Sequence, residues 1–300
     1  MKRGFITLLL SVVAVAASAQ VLNVATYNIR LNSKKDYKTQ NGWTERRDEL
    51  CAMINHEAFD VFGAQEVKKE QLDDMCKRLP DYKYIGVARD DGKDKGEFCP
   101  VFYNKKVLKK LDGGTFWLSE TPDVPSRGWD AKCRRVCSWG HFQHKASKKC
   151  FYFLNIHLDH KGKQAKVKGL QQVLDFAKAH CGDEQVFIVG DFNIQETGEG
   201  YHLINTCGAY DDCYNVSKYR FAPTGTSNGF RIGTWRSYRI DHIFVSKGSE
   251  VQRYGILAYH RYRNKYAERG EESPEVVKPE NRDIRTLSDH YPVQAFVKLK

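Results

Sequence analysis

No two cysteines of this 300-residue chain are spaced as CxxC, although nine cysteines are present. Because such pairs are the usual basis of cysteine-rich zinc sites, a site of that kind is not expected. No cysteine lies in a context that indicates a histidine partner, so the sequence does not indicate a cysteine nucleophile. The chain also lacks internal repeats, low-complexity segments and a recognisable linker, which favours a single domain.

Long apolar runs are missing apart from one near the N-terminus. That run extends from Phe5 to Ala17 and is shorter than the roughly 20 residues of a membrane span. It follows two basic residues and ends in an A-x-A pattern, as secretory signal peptides do. We therefore predict a signal peptide over residues 1–19, one domain over residues 20–300, a secreted or periplasmic location and no stable membrane insertion. An N-terminal membrane anchor is the alternative.

A concentrated patch of one charge sign is missing as well. The formal net charge is +11, but lysine-rich stretches at 105–110 and 161–168 alternate with acidic stretches at 66–74 and 268–275. A diffuse positive balance suits an anionic substrate without indicating nucleic acid in particular.

Export would place the nine cysteines in an oxidising compartment. Cys133 with Cys137, or Cys207 with Cys213, could close small loops, but the sequence does not fix the pairing. The odd number leaves at least one thiol free or intermolecular.

The chain does contain many short apolar runs separated by a few amphipathic segments. Helices are predicted over 44–56, 69–78 and 165–180, and strands over 21–28, 59–65, 82–88, 98–104, 136–143, 151–157, 186–190, 239–246, 251–258 and 292–298. Because the order is not a strict βαβ alternation, we predict an α/β fold with a mixed two-sheet core and helices packed outside. Two long stretches, roughly 119–135 and 259–288, show no regular pattern, and loops of that length are usually functional.

Polar residues recur where the apolar runs end or begin. After the apolar run 186–189, Gly190 is predicted to turn the chain so that a carboxylate and an amide project from the strand end. The full set is Asn28, Glu66, His157, Asp191, Asn193, Asp241, Asp289 and His290. Singly, each has an ordinary explanation as a turn residue, a helix-terminal charge or a core histidine. Together they are the groups that metal-assisted attack of water on a phosphate requires.

Six segments carry this set. They are Tyr27-Asn28-Ile29-Arg30, Gln65-Glu66, Asn155-Ile156-His157-Leu158, Gly190-Asp191-Phe192-Asn193, Arg239-Ile240-Asp241-His242-Ile243 and Ser288-Asp289-His290. In this order they resemble the endonuclease/exonuclease/phosphatase superfamily, which includes pancreatic deoxyribonuclease, inositol-polyphosphate 5-phosphatases, bacterial sphingomyelinases and deadenylases. The resemblance, which is to a secreted bacterial member, implies a four-layer α/β sandwich. In that fold two packed mixed β-sheets are flanked by helices, and the site lies at one rim of the sheets.

The resemblance also implies a metal site. Glu66, with Asp289 and Asn28 nearby, would hold a Mg²⁺ or Mn²⁺ ion. An all-oxygen ligand set favours a hard cation over zinc on chemical grounds too. Such an ion polarises a phosphoryl oxygen and neutralises developing charge.

The catalytic roles follow from the same resemblance. Asp191 would be the general base for the attacking water, and Asn193 would orient that water and donate to the phosphate. His290, held by Asp241, would stabilise the pentavalent oxyanion, since a carboxylate behind an imidazole fixes its tautomer and favours its charged form. His157 would donate to a phosphate oxygen or assist the leaving group. No covalent intermediate is needed.

Arginines in or beside the first long stretch are candidate substrate contacts. Arg127 and Arg135, and less so Arg134, could grip an anionic group, and solvated surface arginines are the alternative. Asp159-His160 resembles a sub-pattern of secreted bacterial members of the superfamily, and we assign it to structural support, with a second metal site as the alternative.

Three aromatic residues on irregular segments are further candidates. Trp129, Phe230 and Trp235 could stack on a base or a sugar ring, or could simply pack beneath a loop.

These observations predict a secreted, Mg²⁺-dependent phosphoesterase that hydrolyses a P–O bond by direct water attack, with a phosphorylated small molecule or glycan as the favoured substrate. The first alternative is a secreted nuclease acting on DNA or RNA, for which a concentrated basic stripe would be expected. A sphingomyelinase is less expected, because the 259–288 segment contains Glu268, Glu271, Glu272, Glu275 and Glu280 and is too polar for a membrane-contacting hairpin. A non-catalytic anion-binding module is the remaining alternative, and no protein partner can be inferred.

Overall fold

The computed structural model describes residues 21–233, 235–265, 269–278 and 282–300. The predicted signal peptide over residues 1–19 lies outside these ranges, as do Glu268 and Glu280. Among the helices of the described ranges, none combines the length and the apolar character that crossing a membrane demands.

Seven strands form the first sheet: β1 (Val21–Asn28), β2 (Val61–Gln65), β3 (Tyr82–Ile85), β4 (Val101–Asn104), β10 (Tyr219–Phe221), β12 (Val251–Ile256) and β15 (Val293–Lys298). Their order across the sheet is β10-β12-β15-β1-β2-β4-β3. β1 runs parallel to β2 and antiparallel to β15. The central strand β1 is therefore paired on both edges, and almost all of its residues are buried.

Six strands form the second sheet: β5 (Leu108–Trp117), β6 (Val136–His144), β7 (Cys150–His157), β8 (Gln185–Asp191), β9 (Tyr210–Asp212) and β11 (Asp241–Ser246). Their order is β5-β6-β7-β8-β11-β9, with β7 parallel to β8. The turn predicted at Gly190 is wrong, because β8 continues through Gly190 to Asp191. Gly190 instead permits close approach of β7, since a Cβ there would lie 1.9 Å from the Ile156 carbonyl oxygen and its φ is +145°.

Six helices accompany the sheets: α1 (Lys34–Tyr37), α2 (Trp43–Glu57), α3 (Lys69–Arg78), α4 (Lys163–His180), α5 (Glu199–Thr206) and α6 (Cys213–Val216). Apolar side chains of α2 and α3, such as Leu50 and Leu72, pack on the outer face of the first sheet. Those of α4 and α5, such as Val173 and Ile204, pack on the outer face of the second. The predicted four-layer α/β sandwich is confirmed.

The two sheets meet in an apolar core that joins Val24 and Val61 of the first sheet to Phe153 and Phe187 of the second. Burying one such side chain stabilises the fold by about 1.5–3 kcal/mol.

Hydrogen bonds also join the two sheets at the edge where β2 and β7 end. Gln65 Nε2 donates to Asn155 Oδ1 at 2.7 Å, and Asn155 Nδ2 donates to the Ala64 carbonyl at 2.9 Å. Gly63 leaves room for this contact, because a Cβ there would lie 2.4 Å from Asn155 Oδ1. These bonds fix the end of β2 against the end of β7.

The 259–288 segment was predicted to lack regular structure, and that prediction is wrong in part. It contains an antiparallel hairpin of β13 (His260–Asn264) and β14 (Arg282–Thr286). Buried Arg261 ties the hairpin to the start of α2 by donating to the Glu45 and Gln40 carbonyls, each at 2.7 Å. The 119–135 stretch contains no helix or strand, as predicted.

The cysteines are unpaired. All nine lie in the described ranges and all are free thiols, so neither Cys133 with Cys137 nor Cys207 with Cys213 closes a loop. Five of them, Cys51, Cys99, Cys137, Cys181 and Cys213, are buried and behave as small apolar core residues.

Candidate active site

The predicted polar residues gather where two parallel strand pairs end. Asn28 and Gln65 are register partners at the ends of β1 and β2, and Glu66 follows directly. His157 and Asp191 are register partners at the ends of β7 and β8. Because parallel strands present their carboxyl ends on one edge, the topology itself collects these side chains.

Antiparallel neighbours complete the rim. Asp241 opens β11 directly opposite Asp191. Asp289 and His290 lie just before β15, and His290 forms an isolated bridge with Ser227. All six predicted segments therefore contribute to one site.

Asn28 links the two sheets at the site. Its buried side-chain amide donates to Glu66 Oε1 at 3.1 Å and to Asp191 Oδ2 at 3.0 Å. Its Oδ1 accepts the Arg30 backbone N–H at 3.0 Å. Asn28 thus holds the first sheet's carboxylate and the second sheet's carboxylate at fixed positions.

Glu66 has an uncommon backbone conformation for a non-glycine residue, with φ of 63°. Its Oε2 accepts the Leu31 N–H at 3.0 Å. Burial alone would raise the pKa of this carboxyl, but the Leu31 N–H and the charges of His290 and Arg30 lower it overall. Glu66 is therefore ionised at neutral pH.

Asp289 lies beside Glu66 at the opening of the site. One nitrogen, Arg30 Nη1, is 3.6 Å from Asp289 Oδ2 and 3.9 Å from Glu66 Oε2. The pKa of Asp289 is raised by burial and by the negative charge of Glu66, against the effect of His290. The negative charge of Glu66 raises the cost of ionising Asp289, and a bound cation would offset that cost. The two carboxyl groups and the Asn28 amide form an oxygen-rich set that fits a hard divalent cation.

His290 and Asp241 form a buried hydrogen-bonded pair, with 2.8 Å between Nδ1 and Oδ2. Burial disfavours the imidazolium, but Asp241 and Asp191 raise the pKa of His290 well above its ordinary value. Asp241 therefore fixes the tautomer and keeps His290 charged.

Asp191 lies at the centre of the site. Its Oδ2 is 3.5 Å from His157 Nε2 and 4.0 Å from His290 Nε2. Burial and the charge of Asp241 raise its pKa to about 7, against the opposing effects of His290 and of the Asn193 N–H. A buried carboxylate with a pKa near neutrality has the basicity that a general base needs.

His157 stays neutral at physiological pH. Burial and the neighbouring charge of Arg135 lower its pKa well below the ordinary value. A neutral imidazole beside Asp191 can donate or accept a single hydrogen bond, according to its tautomer.

Asp191, Asp241 and His290 offer ligand atoms that all lie within 4.8 Å of one another. Such a group can in principle hold a metal ion. Here His290 Nδ1 is already bound to Asp241, and a protonated imidazole has no lone pair for a metal. The geometry therefore favours an acid–base assembly at these three residues and a cation at Glu66 and Asp289.

Asn193 forms the wall next to Asp191. Its backbone N–H donates to Asp191 Oδ1 at 2.9 Å, and its Nδ2 donates to the Leu158 carbonyl at 3.0 Å. One of its two amide protons is thus committed to the protein, which leaves one for the predicted contact with a phosphate.

Of the three candidate arginines, Arg135 is the one that lies beside His157. It is buried, its Nε lies 3.4 Å from Asp159 Oδ2, and its Nη2 is 3.1 Å from His160 Nδ1. Its Nη1 has no hydrogen-bond partner among the described residues. Arg135 and His157 line the same small cavity of about 10 Å³.

Asp159 supports that arginine. It accepts the backbone N–H groups of Cys133, Lys161 and Gly162, which together hold its pKa far below the ordinary value despite burial. Oδ1 accepts the Lys161 and Gly162 N–H groups, and Oδ2 accepts the Cys133 N–H and contacts Arg135. Ligand atoms of Cys133, Asp159 and His160 lie within 4.8 Å of one another, so structural support and a second metal site both stay predictions.

The other candidate contacts are less central. Arg127 is exposed in the 119–135 stretch. Trp129 is half-buried with Lys168 Nζ 6.0 Å from its ring, and Phe230 packs 5.6 Å from the Arg46 guanidinium. The side chain of Trp235 is 69% exposed, and its Nε1 donates to the Pro223 carbonyl at 3.1 Å. Trp235 is therefore the most exposed of these three aromatic residues.

Arg46 supports the site in a way that sequence reasoning missed. It is fully buried and donates to the carbonyls of Asn41, Ile29, Leu287 and Arg30. It thereby joins the end of β1 to the segment before Asp289. A basic residue on an amphipathic helix normally faces solvent, so the sequence carried no signal for this role.

Arg30 was missed for a different reason. It belongs to the Tyr27-Asn28-Ile29-Arg30 segment, but its contacts with Glu66 and Asp289 depend on a φ of 60° that the sequence does not reveal.

Known proteins resemble this chain along nearly its whole length. The sequence pattern of the Endonuclease/Exonuclease/phosphatase family matches residues 25–290. A Bacteroides thetaiotaomicron protein of that family is 40% identical, with 93% of this chain and 98% of that chain covered and a TM-score of 0.85. The mannosyl-6-phosphatase of Bacteroides thetaiotaomicron is also 40% identical, with 92% and 99% covered and a TM-score of 0.85. A Bacteroides vulgatus family protein is 34% identical, with 93% and 99% covered and a TM-score of 0.80.

The matched range spans all six segments that build the site, from β1 to His290. The chain therefore belongs to the endonuclease/exonuclease/phosphatase family, whose members are phosphoester hydrolases that generally use a divalent metal ion.

Proposed function

We propose that this protein is an Mg²⁺-dependent phosphomonoesterase that releases phosphate from a phosphorylated sugar or glycan by direct attack of water on phosphorus. The observation that carries the proposal is the buried Asp191 carboxylate, which lies beside the His290–Asp241 pair and is bound to Asn28. That arrangement places a general base, Asp191, next to a positively charged side chain, protonated His290.

In this mechanism Asp191 takes the proton of the attacking water. Its raised pKa makes it a stronger base than a solvated aspartate, although a share of it is protonated near neutral pH. His290 faces the developing negative charge and remains cationic because Asp241 accepts its Nδ1–H. His157 and the free amide proton of Asn193 donate to phosphate oxygens. The P–O bond to the sugar breaks as the new bond forms, and the sugar oxygen leaves as a hydroxyl with a proton from His157 or from solvent.

Glu66, Asp289 and Asn28 would hold the Mg²⁺ or Mn²⁺ ion. When bound, that ion supplies charge neutralisation at the phosphoryl oxygens. The protein's own part is to hold the Glu66 and Asp289 carboxyl groups close together, with the Asn28 amide fixed against Glu66.

Two observations support a sugar phosphate over a nucleic acid. The positive charge is interrupted by acidic residues along the chain, where a nuclease would need a basic stripe for the backbone. A relative that is 40% identical over 92% of this chain is a mannosyl-6-phosphatase. Export through the N-terminal signal peptide is part of the same proposal, because it would bring the enzyme to environmental glycans.

The test is a side-by-side measurement of kcat/KM with the purified mature protein and Mg²⁺. The substrates are hexose 6-phosphates, phosphorylated oligosaccharides, single- and double-stranded DNA, RNA and sphingomyelin. The sugar monoesters are expected to lead, EDTA is expected to stop the reaction, and Asp191→Asn is expected to be inactive yet folded. A clear lead for plasmid DNA would replace this proposal with the nuclease alternative.

A further inference from the structure

A groove lined in part by Asn193 opens between α4 and the loop that leads into α5. Its volume is about 340 Å³, within the lower part of the range for small-molecule sites. Polar side chains surround it, namely Lys163, Lys166, Thr197 and Glu199, and Val167 and Ile194 supply apolar surface. The mechanism above does not use this groove.

Lys166 connects the groove to the catalytic centre. Its Nζ donates to the Asn193 carbonyl at 3.0 Å, which occupies one of its three protons. Burial lowers its pKa, whereas the charges of Asp159 and Asp191 raise it, so the ammonium lies within electrostatic range of the catalytic base. Asn193 therefore lines the groove and also contacts the catalytic base.

The chemistry of the groove fits a polyol ring. Lysine ammonium groups donate to ring hydroxyls, the Glu199 carboxylate accepts from them, and the Thr197 hydroxyl can do either. The apolar surface of Val167 and Ile194 suits the C–H face of a sugar. None of the lining residues is aromatic, so the groove offers no stacking surface for a nucleobase.

We propose that this groove is the subsite for the sugar ring that carries the phosphate, with Lys166 and Glu199 as the residues that determine specificity. The inference rests on the proposed phosphomonoesterase function. It deepens that function by naming where the leaving group is recognised. Lys166 donates to a hydroxyl of the sugar ring, and its hydrogen bond to the Asn193 carbonyl holds Asn193 in position to contact the phosphate.

Two substrates that share the phosphate but differ in the sugar test this subsite. We would measure kcat and KM for mannose 6-phosphate and for methyl phosphate with the parent, Lys166→Met and Glu199→Gln. Both variants are expected to lose about tenfold more kcat/KM on mannose 6-phosphate than on methyl phosphate, chiefly through KM, because lost hydrogen bonds to hydroxyls weaken recognition of the sugar. Lys178→Met, an exposed lysine near the other end of α4, is the matched control and should change neither value.

The possible failures are distinguishable. Equal losses on the two substrates would show that the groove only supports the catalytic centre, and the inference would be wrong. A parent enzyme that prefers methyl phosphate to mannose 6-phosphate would overturn it as well. A parent that hydrolyses neither monoester would sink the proposed function itself. Glu199→Gln is an exposed change, and its melting temperature confirms that any loss is not unfolding.

Discussion

At the scale of single residues, Asp191 shows how burial and charge prepare a group for catalysis. The carboxylate accepts hydrogen bonds from Asn28 Nδ2 and from the Asn193 N–H, and two histidines lie within 4.0 Å. Burial and Asp241 nevertheless dominate, and its pKa is raised to about 7. A folded-state pKa above the unfolded-state value means that ionising Asp191 costs folding free energy.

This cost predicts a pH-dependent gain of stability in Asp191→Asn. Folding favours protonated Asp191, so the parent's stability falls as the pH rises through about 7. In metal-free buffer at pH 8, Asp191→Asn is expected to melt about 2–4 °C above the parent, which corresponds to roughly 1 kcal/mol. At pH 5 the difference should be smaller, because much of the stability loss between the unfolded-state pKa of 3.8 and the folded-state pKa of about 7 has not yet occurred. A variant that melts lower than the parent at pH 8 would contradict the assigned burial cost.

Two adjacent arginines provide a second test at this scale. Arg135 is buried against Asp159 and has a free Nη1, whereas the Arg134 side chain is 42% exposed and 3.8 Å from Asp90. Arg135→Met is expected to lower kcat/KM by about 10²-fold or more, because it removes a fixed cation beside His157. Arg134→Met should stay within about threefold of the parent, since exposed pairs contribute little.

The measurement is steady-state kinetics on a hexose 6-phosphate, with the melting temperature of each variant as a control. Equal activity of Arg135→Met and Arg134→Met would contradict a role for Arg135 in the active site.

Residue identity at the strand ends was the most predictable part of the site. Asn28, Glu66 and Asp191 could be named because each follows an apolar run that forms a strand. Arg30 and Arg46 could not, because their contacts arise from a left-handed backbone residue and from a buried guanidinium on a helix.

At the scale of elements, the Arg46 side chain connects α2 to the chain segments that carry the site residues. Arg46 lies in α2 and donates to four main-chain carbonyls, three of which belong to the segments on either side of the site. Its ring neighbours are Trp43 at 5.3 Å and Phe230 at 5.6 Å. Burial lowers the pKa of Arg46, but an arginine remains charged at any physiological pH.

Replacing Arg46 is expected to lower the free energy of unfolding of the whole domain. Arg46→Met keeps apolar volume but leaves buried carbonyl groups without donors, which costs about 3–5 kcal/mol. Its neighbour Arg47 is the matched control, because it makes a part-exposed pair with Asp74 at 2.8 Å, and Arg47→Met should cost less than about 1 kcal/mol. Urea denaturation of both variants measures the two losses, and similar values would refute the role of Arg46.

Elements with strong patterns were predicted well, and the misses have physical causes. The predicted helix over 69–78 and the predicted strand over 21–28 match α3 and β1. β5 was missed because its exposed lysines and paired glycines interrupt any apolar alternation. The β13–β14 hairpin was missed because its strands are polar and separated by a long connection, so only their pairing identifies them.

At the scale of the whole molecule, the site exists because two sheets are held in one relative position. Parallel pairs β1–β2 and β7–β8 end at the same rim, and Asn155 and Gln65 join those ends. The order of strands within each sheet could not be read from the sequence, since pairing depends on long-range packing. That order nevertheless decides which strand ends meet.

A divalent cation is expected to stabilise the folded molecule. Ligands that bind only the folded state raise its stability, by about 2.7 kcal/mol at a hundredfold excess over Kd. Mg²⁺ should therefore raise the melting temperature of the parent, and EDTA should reverse the shift. Glu66→Gln should lose most of the shift, whereas Glu250→Gln, at an exposed residue paired with Lys298, should keep it. If Mg²⁺ raised the melting temperature of Glu66→Gln as much as that of the parent, Glu66 would not be a ligand of the cation.

The central claim is that water activated by Asp191 attacks phosphorus. Its most direct test is hydrolysis of a hexose 6-phosphate in H₂¹⁸O with Mg²⁺, followed by mass spectrometry of both products, for the parent and for Asp191→Asn. The account predicts ¹⁸O in the released phosphate, none in the sugar, and a rate at least about 10³-fold lower in Asp191→Asn. Label in the sugar hydroxyl, or equal rates for the parent and Asp191→Asn, would contradict it.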